Sequence, residues 1–368
     1  MRNTLFFLVL FGSILFGQSN FYLGADLSYV NEVEDAGAVY RYQKKKIDPY
    51  QLFAQKKCNL VRLRLWHQPS HSPYSNLADV SKSIQRAKKQ SMQVLLDFHY
   101  SDTWADPEKQ YIPKAWSEIS ELKILGDSVY QYTYKTLEHL FRLKQLPEIV
   151  QIGNETNSEI LQPEGKHAEK INWERNTFLL NQGLLAVKDF NEKHQTNIQR
   201  MLHIAQPENA LWWFEEAHQN GIENYEWIGL SYYPLWSKYT MEQLPEALSI
   251  LKEKHQKEIM IVETAYPFTL TNIDKANNIL NEKALLPEFP CSPEGQKKYM
   301  ISLVNQAIKG GAKGVIYWEA AWVTSNAHTL WGHGSHWDNA TFFDSSNQNE
   351  ALPVFDFFNP KNYLFQNN

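Results

Sequence analysis

The chain has 368 residues, 43% hydrophobic and 21% charged, so it is too long for a small stapled module and carries enough apolar material for one sizeable core. Its net charge of −5 arises from 36 basic and 41 acidic residues with no basic stripe, which argues against nucleic acid as a partner. Cys58 and Cys291 are the only cysteines; a protein of this size needs no disulfide, and two separate, buried thiols are expected.

The apolar run Leu5–Phe16 follows Arg2 and precedes Gly17-Gln18-Ser19. A short apolar core between one positive charge and small residues reads as a signal peptide over residues 1–19, too short to span a bilayer. Export to the periplasm or the medium is the expectation, with no membrane association after cleavage. No Cys follows the run, so a lipoprotein anchor is not supported.

Beyond it, residues 20–368 alternate short apolar runs with longer helical-period stretches. Phe21–Asp26 and Leu60–Trp66 are predicted strands; Leu77–Gln90, with Leu77, Val80, Ile84 and Ala87 at helical spacing, is a predicted helix. Gln93–His99 is a strand, Leu122–Leu143 a helix, Pro147–Asn154 a strand and Asn181–Lys193 a helix. Met201–Ala205, Trp227–Tyr232, Glu258–Glu263, Lys297–Lys309 and Gly314–Trp318 continue the alternation. Strand, helix, strand repeated in this way implies parallel strands with crossover helices. Eight such units in one unbroken chain predict an α/β fold, a single-domain (β/α)8 barrel; an open doubly wound sheet has the same periodicity. Thr264–Gly295 and Glu319–Glu350 are long for strand-to-helix loops, and the second holds Trp322, Trp331, His333, His336 and Trp337, a composition suited to a site rim.

Polar residues end these strands: Asp26, Arg64, His99, Asn154-Glu155, Tyr232-Tyr233, Glu263 and Trp318-Glu319. In a barrel such tips converge on one face, where catalytic groups belong. In Arg62-Leu63-Arg64-Leu65-Trp66 the two Arg and the Trp share one face, so both guanidinium groups are expected to look into the barrel, where a buried cation needs a carboxylate partner. Arg64, nearer the tip, is the expected partner of a catalytic carboxylate. An aromatic content of 14%, with 12 Trp and 19 Tyr, leans toward a carbohydrate ligand, because these rings stack on the apolar faces of sugars.

Glycoside hydrolysis needs two carboxyl groups, one protonated to assist the leaving oxygen and one ionised to attack the anomeric carbon or activate water. Glu155 and Glu263 are candidates at the fourth and seventh strand ends; Asp97, Asp102, Asp106, Glu159 and Glu319 compete on position alone.

The segment Asp97-Phe98-His99-Tyr100-Ser101-Asp102-Thr103-Trp104-Ala105-Asp106-Pro107 resembles the third-strand signature of glycoside hydrolase family 53, the arabinogalactan endo-β-1,4-galactanases. Gly24-Ala25-Asp26-Leu27-Ser28, Arg62–Trp66, Gln151-Ile152-Gly153-Asn154-Glu155, Gly229–Pro234, Val262–Pro267 and Tyr317–Trp322 resemble other segments of that family, in order, from about Leu23 to Phe357. The resemblance implies a retaining, endo-acting enzyme that cleaves β-1,4-galactan side chains of type I arabinogalactan and pectin and works as a monomer without a required cofactor. Glu155 matches the acid/base and Glu263 the nucleophile. Arg64 and a Tyr hydroxyl, Tyr232, are expected to keep Glu263 ionised; burial is expected to raise the pKa of Glu155. Asn154 is expected to bond the sugar 2-OH, His99, Asp102 and Trp104 to shape the site, Trp318 to form its floor, and Asp26 to join the substrate-binding set.

The chain departs from that pattern where many relatives have Ile after the acid/base and a Trp-Pro further on; here Glu155-Thr156-Asn157 and Leu161-Gln162-Pro163 stand instead, which removes one aromatic sugar contact. Some bacterial members hold calcium between the loops after strands seven and eight. Asn272, Asp274 and Asn277 offer hard oxygens there, but their spacing is no recognised calcium loop, and capping explains them better. His328, His333 and His336 lack zinc-site spacing, so no metal is required, and a structural calcium stays open as a weakly supported alternative. The alternatives are another retaining barrel enzyme with the same glutamates, such as a β-mannanase or cellulase, a metal-dependent hydrolase, and a non-catalytic carbohydrate-binding barrel.

Overall fold

Along Leu60–Leu65 every side chain is buried, the mark of a strand covered on both faces, and the same holds for most of the chain's apolar runs. The computed structural model describes residues 21–168 and 170–365; the expected signal peptide lies outside the described residues. Eight parallel strands form a closed barrel: β1 (Tyr22–Asp26), β2 (Leu60–Leu65), β3 (Gln93–Phe98), β4 (Ile149–Ile152), β5 (Gln199–Ala205), β6 (Trp227–Ser231), β7 (Glu258–Glu263) and β8 (Gly314–Tyr317). β1 closes it, pairing in parallel with β8 (Ala25 opposite Tyr317) and with β2 (Asp26 opposite Arg62). Closure decides between the two architectures the periodicity allowed.

The helices are α1 (Val30–Asp35), α2 (Pro49–Gln55), α3 (Leu77–Lys89), α4 (Leu122–Arg142), α5 (Trp173–His194), α6 (Pro207–Gln219), α7 (Leu244–His255) and α8 (Pro293–Lys309). α5 starts well before the expected Asn181. Asn172 caps it by accepting from Arg175 N, and its first turn is only half-buried, so the apolar period is weak there. α8 likewise starts at Pro293, behind the Ser292 side chain, which accepts from Gly295 N.

The barrel interior is built in two layers by strand alternation. Leu60, Leu95, Ile149, Met201, Trp227, Met260, Val262 and Ile316 form an apolar plug at the bottom. Two residues further along four of these inward faces come Arg62, Asp97, Gln151 and His203, all fully buried. One strand breaks the rule. Met260 and Val262 both face the interior, so strict alternation would turn Glu263 outward. The β6–β7 pairing shifts there: Leu230 opposes Ile261 but Ser231 opposes Glu263. This β-bulge re-aims Glu263 toward the barrel mouth.

The loops after β7 and β8 are long, as expected, and are tied together. Asp274 accepts from Ser335 N at 2.8 Å, Asn339 Nδ2 donates to Leu280 O at 2.7 Å, and His336 Nδ1 lies 2.8 Å from Asn277 O. The side-chain oxygen of Asn272 accepts from Asn278 N. These groups, weighed as calcium ligands in the sequence, act as turn caps and loop ties. Cys58 and Cys291 are free; Cys58 is buried, whereas Cys291 is only half-buried, a correction to the expected pair of buried thiols.

Candidate active site

Gly153-Asn154-Glu155 leaves β4 through a turn in which Gly153 (φ 82°) and Glu155 (φ 43°) both take the left-handed conformation, which strains a glutamate. Tyr100, Gln206 and Glu319, just past the ends of β3, β5 and β8, share that conformation.

At the barrel's C-terminal mouth a carboxylate oxygen of Glu155, one of Glu263 and a ring nitrogen of His203 all lie within 4.8 Å of one another. Arg62 reaches up from the interior and binds three carboxylates: Nη1 is 2.8 Å from Glu263 Oε1 and 3.0 Å from Asp26 Oδ2, and Nη2 is 2.8 Å from Asp97 Oδ2. It also donates to Asn154 Oδ1 at 2.7 Å. Arg62 is therefore the cation beside Glu263, contrary to the expectation for Arg64. Arg64 pairs with the buried Glu319 at 2.9 Å, its guanidinium lying among the rings of Tyr29, Trp66 and Trp104. Arg64 lies one inward layer beyond Arg62 on the same strand and there meets Glu319, just past the end of β8.

Burial pushes the Glu155 carboxyl up to about 7, against the opposing effects of its Ser231 hydrogen bond and of Arg62. Burial also raises Glu263, with Arg62 opposing and Glu155 reinforcing the shift. Two buried carboxyls this close retain one proton between them into the neutral range. The ion pair with Arg62 favours the charge on Glu263 and the proton on Glu155.

Several other expected residues take different posts. Tyr232 turns away and donates to Tyr239 O at 3.1 Å; its neighbour Tyr233 lines the cleft with both glutamates. Asp26 is buried and committed to Arg62 and to Ser28. Asp102 lies outside the cleft around the glutamates, joining two loops by accepting from Gln68 N and Lys114 N, each at 2.8 Å. His99 is buried between Asp97 Oδ2 (3.1 Å) and Ala105 N (3.1 Å), holding the loop that carries Trp104; burial pulls its pKa down, so it is neutral. Asn154 gives one Nδ2 hydrogen to Ala105 O and retains the other. Gln151, His203 and Ser231 are not among the site residues expected from the sequence, and Tyr233 is expected only as a polar strand tip. The first two were legible as polar residues on inward strand positions.

The cleft around Glu155 and Glu263 has a volume of about 530 Å³ and is walled by Tyr233, Trp236, Trp318 and Trp337. A second hollow of about 470 Å³ adjoins it across Trp318 and Asp106 and is lined by Trp104, Trp322 and Trp331. Trp318 lines both of them, 5.7 Å from the Trp104 ring and 4.6 Å from that of Trp337. The result is a groove paved with indole rings, suited to a chain of sugars. The Glu155, His203 and Glu263 trio does not fit a metal ion. Both His203 nitrogens are engaged within the protein, and Arg62 takes the cation's place beside Glu263.

Residues 22–358 match the model of glycosyl hydrolase family 53. The chain is 57% identical over 339 residues to an arabinogalactan endo-β-1,4-galactanase of Cellvibrio japonicus, covering 92% of this chain and 90% of that protein. It is 32% identical to an endo-β-1,4-galactanase of Bacillus subtilis, over 86% of this chain and 76% of the other. Its fold superposes on the family 53 catalytic domain of Ignisphaera aggregans with a TM-score of 0.84 at 29% identity, covering 95% and 99% of the two chains. A bacterial xylanase at 12% identity and a TM-score of 0.57 shares the barrel fold alone. With the family model spanning nearly all of the described barrel, the chain belongs to glycosyl hydrolase family 53 and is a glycoside hydrolase.

Proposed function

We propose that this hydrolase is an endo-β-1,4-galactanase that acts on galactan side chains of type I arabinogalactan and pectin by double displacement, with retention. The observation that carries the mechanism is the Glu155–Glu263 gap. Their nearest oxygens lie within 4.8 Å. Oxygens this close support the roughly 5–5.5 Å carboxyl separation of retaining enzymes over the roughly 6.5–9.5 Å of inverting ones. The substrate is supported by the named activities of the Cellvibrio and Bacillus relatives and by the third-strand motif. The aromatic groove, continuing past the glutamates on the Trp104 side, supports internal cleavage.

In this reading Glu263, kept ionised by Arg62, attacks the anomeric carbon while Glu155 gives its proton to the departing oxygen. Glu155, now ionised, then takes a proton from the water that releases the sugar from Glu263. The free Nδ2 hydrogen of Asn154 is the group for the sugar 2-OH. Export rests on the Leu5–Phe16 run.

Product analysis on linear β-1,4-galactan, mannan and soluble cellulose tests both parts, with the anomer released first followed by NMR. Galacto-oligosaccharides of mixed length, appearing first as the β-anomer, are expected. An α-anomer appearing first would sink the mechanism, and preferential cleavage of mannan or cellulose would sink the substrate.

A further inference from the structure

Glu155 has an uneven hydrogen-bond environment. Ser231 Oγ donates to its Oε1 at 2.5 Å, and among the described residues no group bonds Oε2. Behind Ser231, at 2.9 Å, stands the Nε2 of His203. His203 is fully buried in the middle of β5, one layer above Met201.

The tautomer of His203 follows from its other nitrogen. The backbone N–H of Glu155 points at Nδ1 from 3.3 Å and finds no other acceptor among the described residues. Gln151 Nε2, a second donor, lies 3.1 Å from the same nitrogen. Asn154 Oδ1, 3.0 Å away, is already held by Arg62. Nδ1 is therefore the acceptor and Nε2 carries the hydrogen. Burial, with Arg62 and His99 nearby, lowers the His203 pKa and keeps the ring neutral. The chain of donors then runs one way, from His203 Nε2–H to Ser231 Oγ and from Ser231 Oγ–H to Glu155 Oε1.

We propose that Ser231 and His203 are a positioning pair for the acid/base: by occupying Oε1 with a donated hydrogen, they confine the reacting proton of Glu155 to Oε2, the oxygen facing the sugar. A carboxylic acid otherwise has two oxygens on which to carry its proton, and only one can reach the glycosidic bond. The pair also fixes the side chain on a strained turn. Its second-stage effect has the same sense, since a donated hydrogen on Oε1 leaves Oε2 to receive the proton from water. The proposal rests on the assignment of Glu155 as acid/base.

The other groups that face Glu155 are Glu263 on β7, Arg62 on β2, Asp97 on β3, Asp106 in the loop after β3 and Tyr233 after β6. None donates a hydrogen to Oε1, so the effect of Ser231 is separable from theirs. Ser231→Ala removes one oxygen from a buried site and is expected to fold. His203→Asn preserves an acceptor near Nδ1 but severs the link to Ser231; His203→Gln places an amide donor near Nε2 and preserves it.

The test is the pH dependence of kcat and kcat/KM on linear β-1,4-galactan for these variants beside wild type and Glu155→Gln, with thermal unfolding measured in parallel. In Ser231→Ala and His203→Asn the alkaline limb is expected to move up by about one pH unit, as loss of a hydrogen bond to a charged group predicts. kcat is expected to fall about tenfold while KM stays within about twofold, because the fault lies in proton delivery. His203→Gln is expected to keep the limb at the wild-type position. An unmoved limb in Ser231→Ala overturns the proposal even if activity drops, since a merely structural role would lower the whole profile evenly. Glu155→Gln separates the underlying assignment: if it stays active with its alkaline limb intact, the acid/base reading itself has failed, which is a different outcome from an unmoved limb in Ser231→Ala.

Discussion

Arg62 Nη1 and Glu263 Oε1 are 2.8 Å apart at the centre of the barrel mouth, and the same guanidinium binds Asp26 and Asp97. One fixed cation thus serves three buried carboxylates. Replacing Arg62 by Met leaves them with no counter-charge. Breaking such a buried cluster costs about 3–5 kcal/mol. Chemical denaturation should show a loss of that size, with activity falling by two orders of magnitude or more. Arg62→Lys should recover only part of it, since one ammonium cannot match a planar fork of donors. A variant of wild-type stability would show that the cluster is not structural.

Glu155→Gln and Glu263→Gln should each lower kcat on galactan at least about a hundredfold, as loss of acid–base help alone does. A substrate with a good aryl leaving group tells them apart. That group departs without a proton, so the Glu155→Gln enzyme should release it in a burst and then stall, whereas Glu263→Gln should give no burst. Equal behaviour on the aryl substrate would remove the assigned roles, and the reverse pattern would exchange them.

The pH profile follows from the same pair. Burial raises Glu155 to about 7, and the proposed first step needs its proton, so kcat/KM should decline as pH rises through about 7. Stability has the same sign. Glu155 at about 7 and Glu319 at about 8 are both raised by burial above the unfolded carboxylate value. Their contribution is complete below the unfolded pKa and is lost as pH rises through 7 to 8. The melting temperature should therefore fall between pH 6 and pH 9; a rise over that window would contradict the burial of these groups.

Trp318→Ala takes away the ring that lines both halves of the groove. An aromatic anchor of this kind is worth about 2 kcal/mol, or roughly thirtyfold in kcat/KM. Trp212, half-exposed on α6, is absent from the walls of both hollows and serves as the control, with no change expected on Trp212→Ala. Kinetics on galactan reads both.

Cys58 and Cys291 are free. A thiol reductant should leave the melting temperature unchanged, and two thiols should titrate after denaturation. A drop on reduction would reveal a bridge.

Much of the site was legible before any coordinates. Strand period two put Arg62 and Arg64 on one face, and the polar tips of β1, β4 and β7 marked the mouth of the barrel. What alternation could not say was which arginine meets which acid. Counting along β7 would even turn Glu263 outward, because a bulge is a property of two strands paired and leaves no trace in one of them. Tyr232 and Tyr233 are adjacent, so choosing between them is a choice of face, and the turn after β6 gave it to Tyr233.

The sequence alone determined the alternation of strand and helix and the kinds of groups at the strand ends, because both depend on short-range periodicity and residue chemistry. Only tertiary structure decided the partners: Arg62 with Glu263, Arg64 with Glu319, and His203 behind Ser231 and Glu155. Those pairings join residues far apart in the chain across a closed ring of strands, and the depth at which each side chain meets its partner is set by strand register and by the bulge, which exist only once the ring has formed.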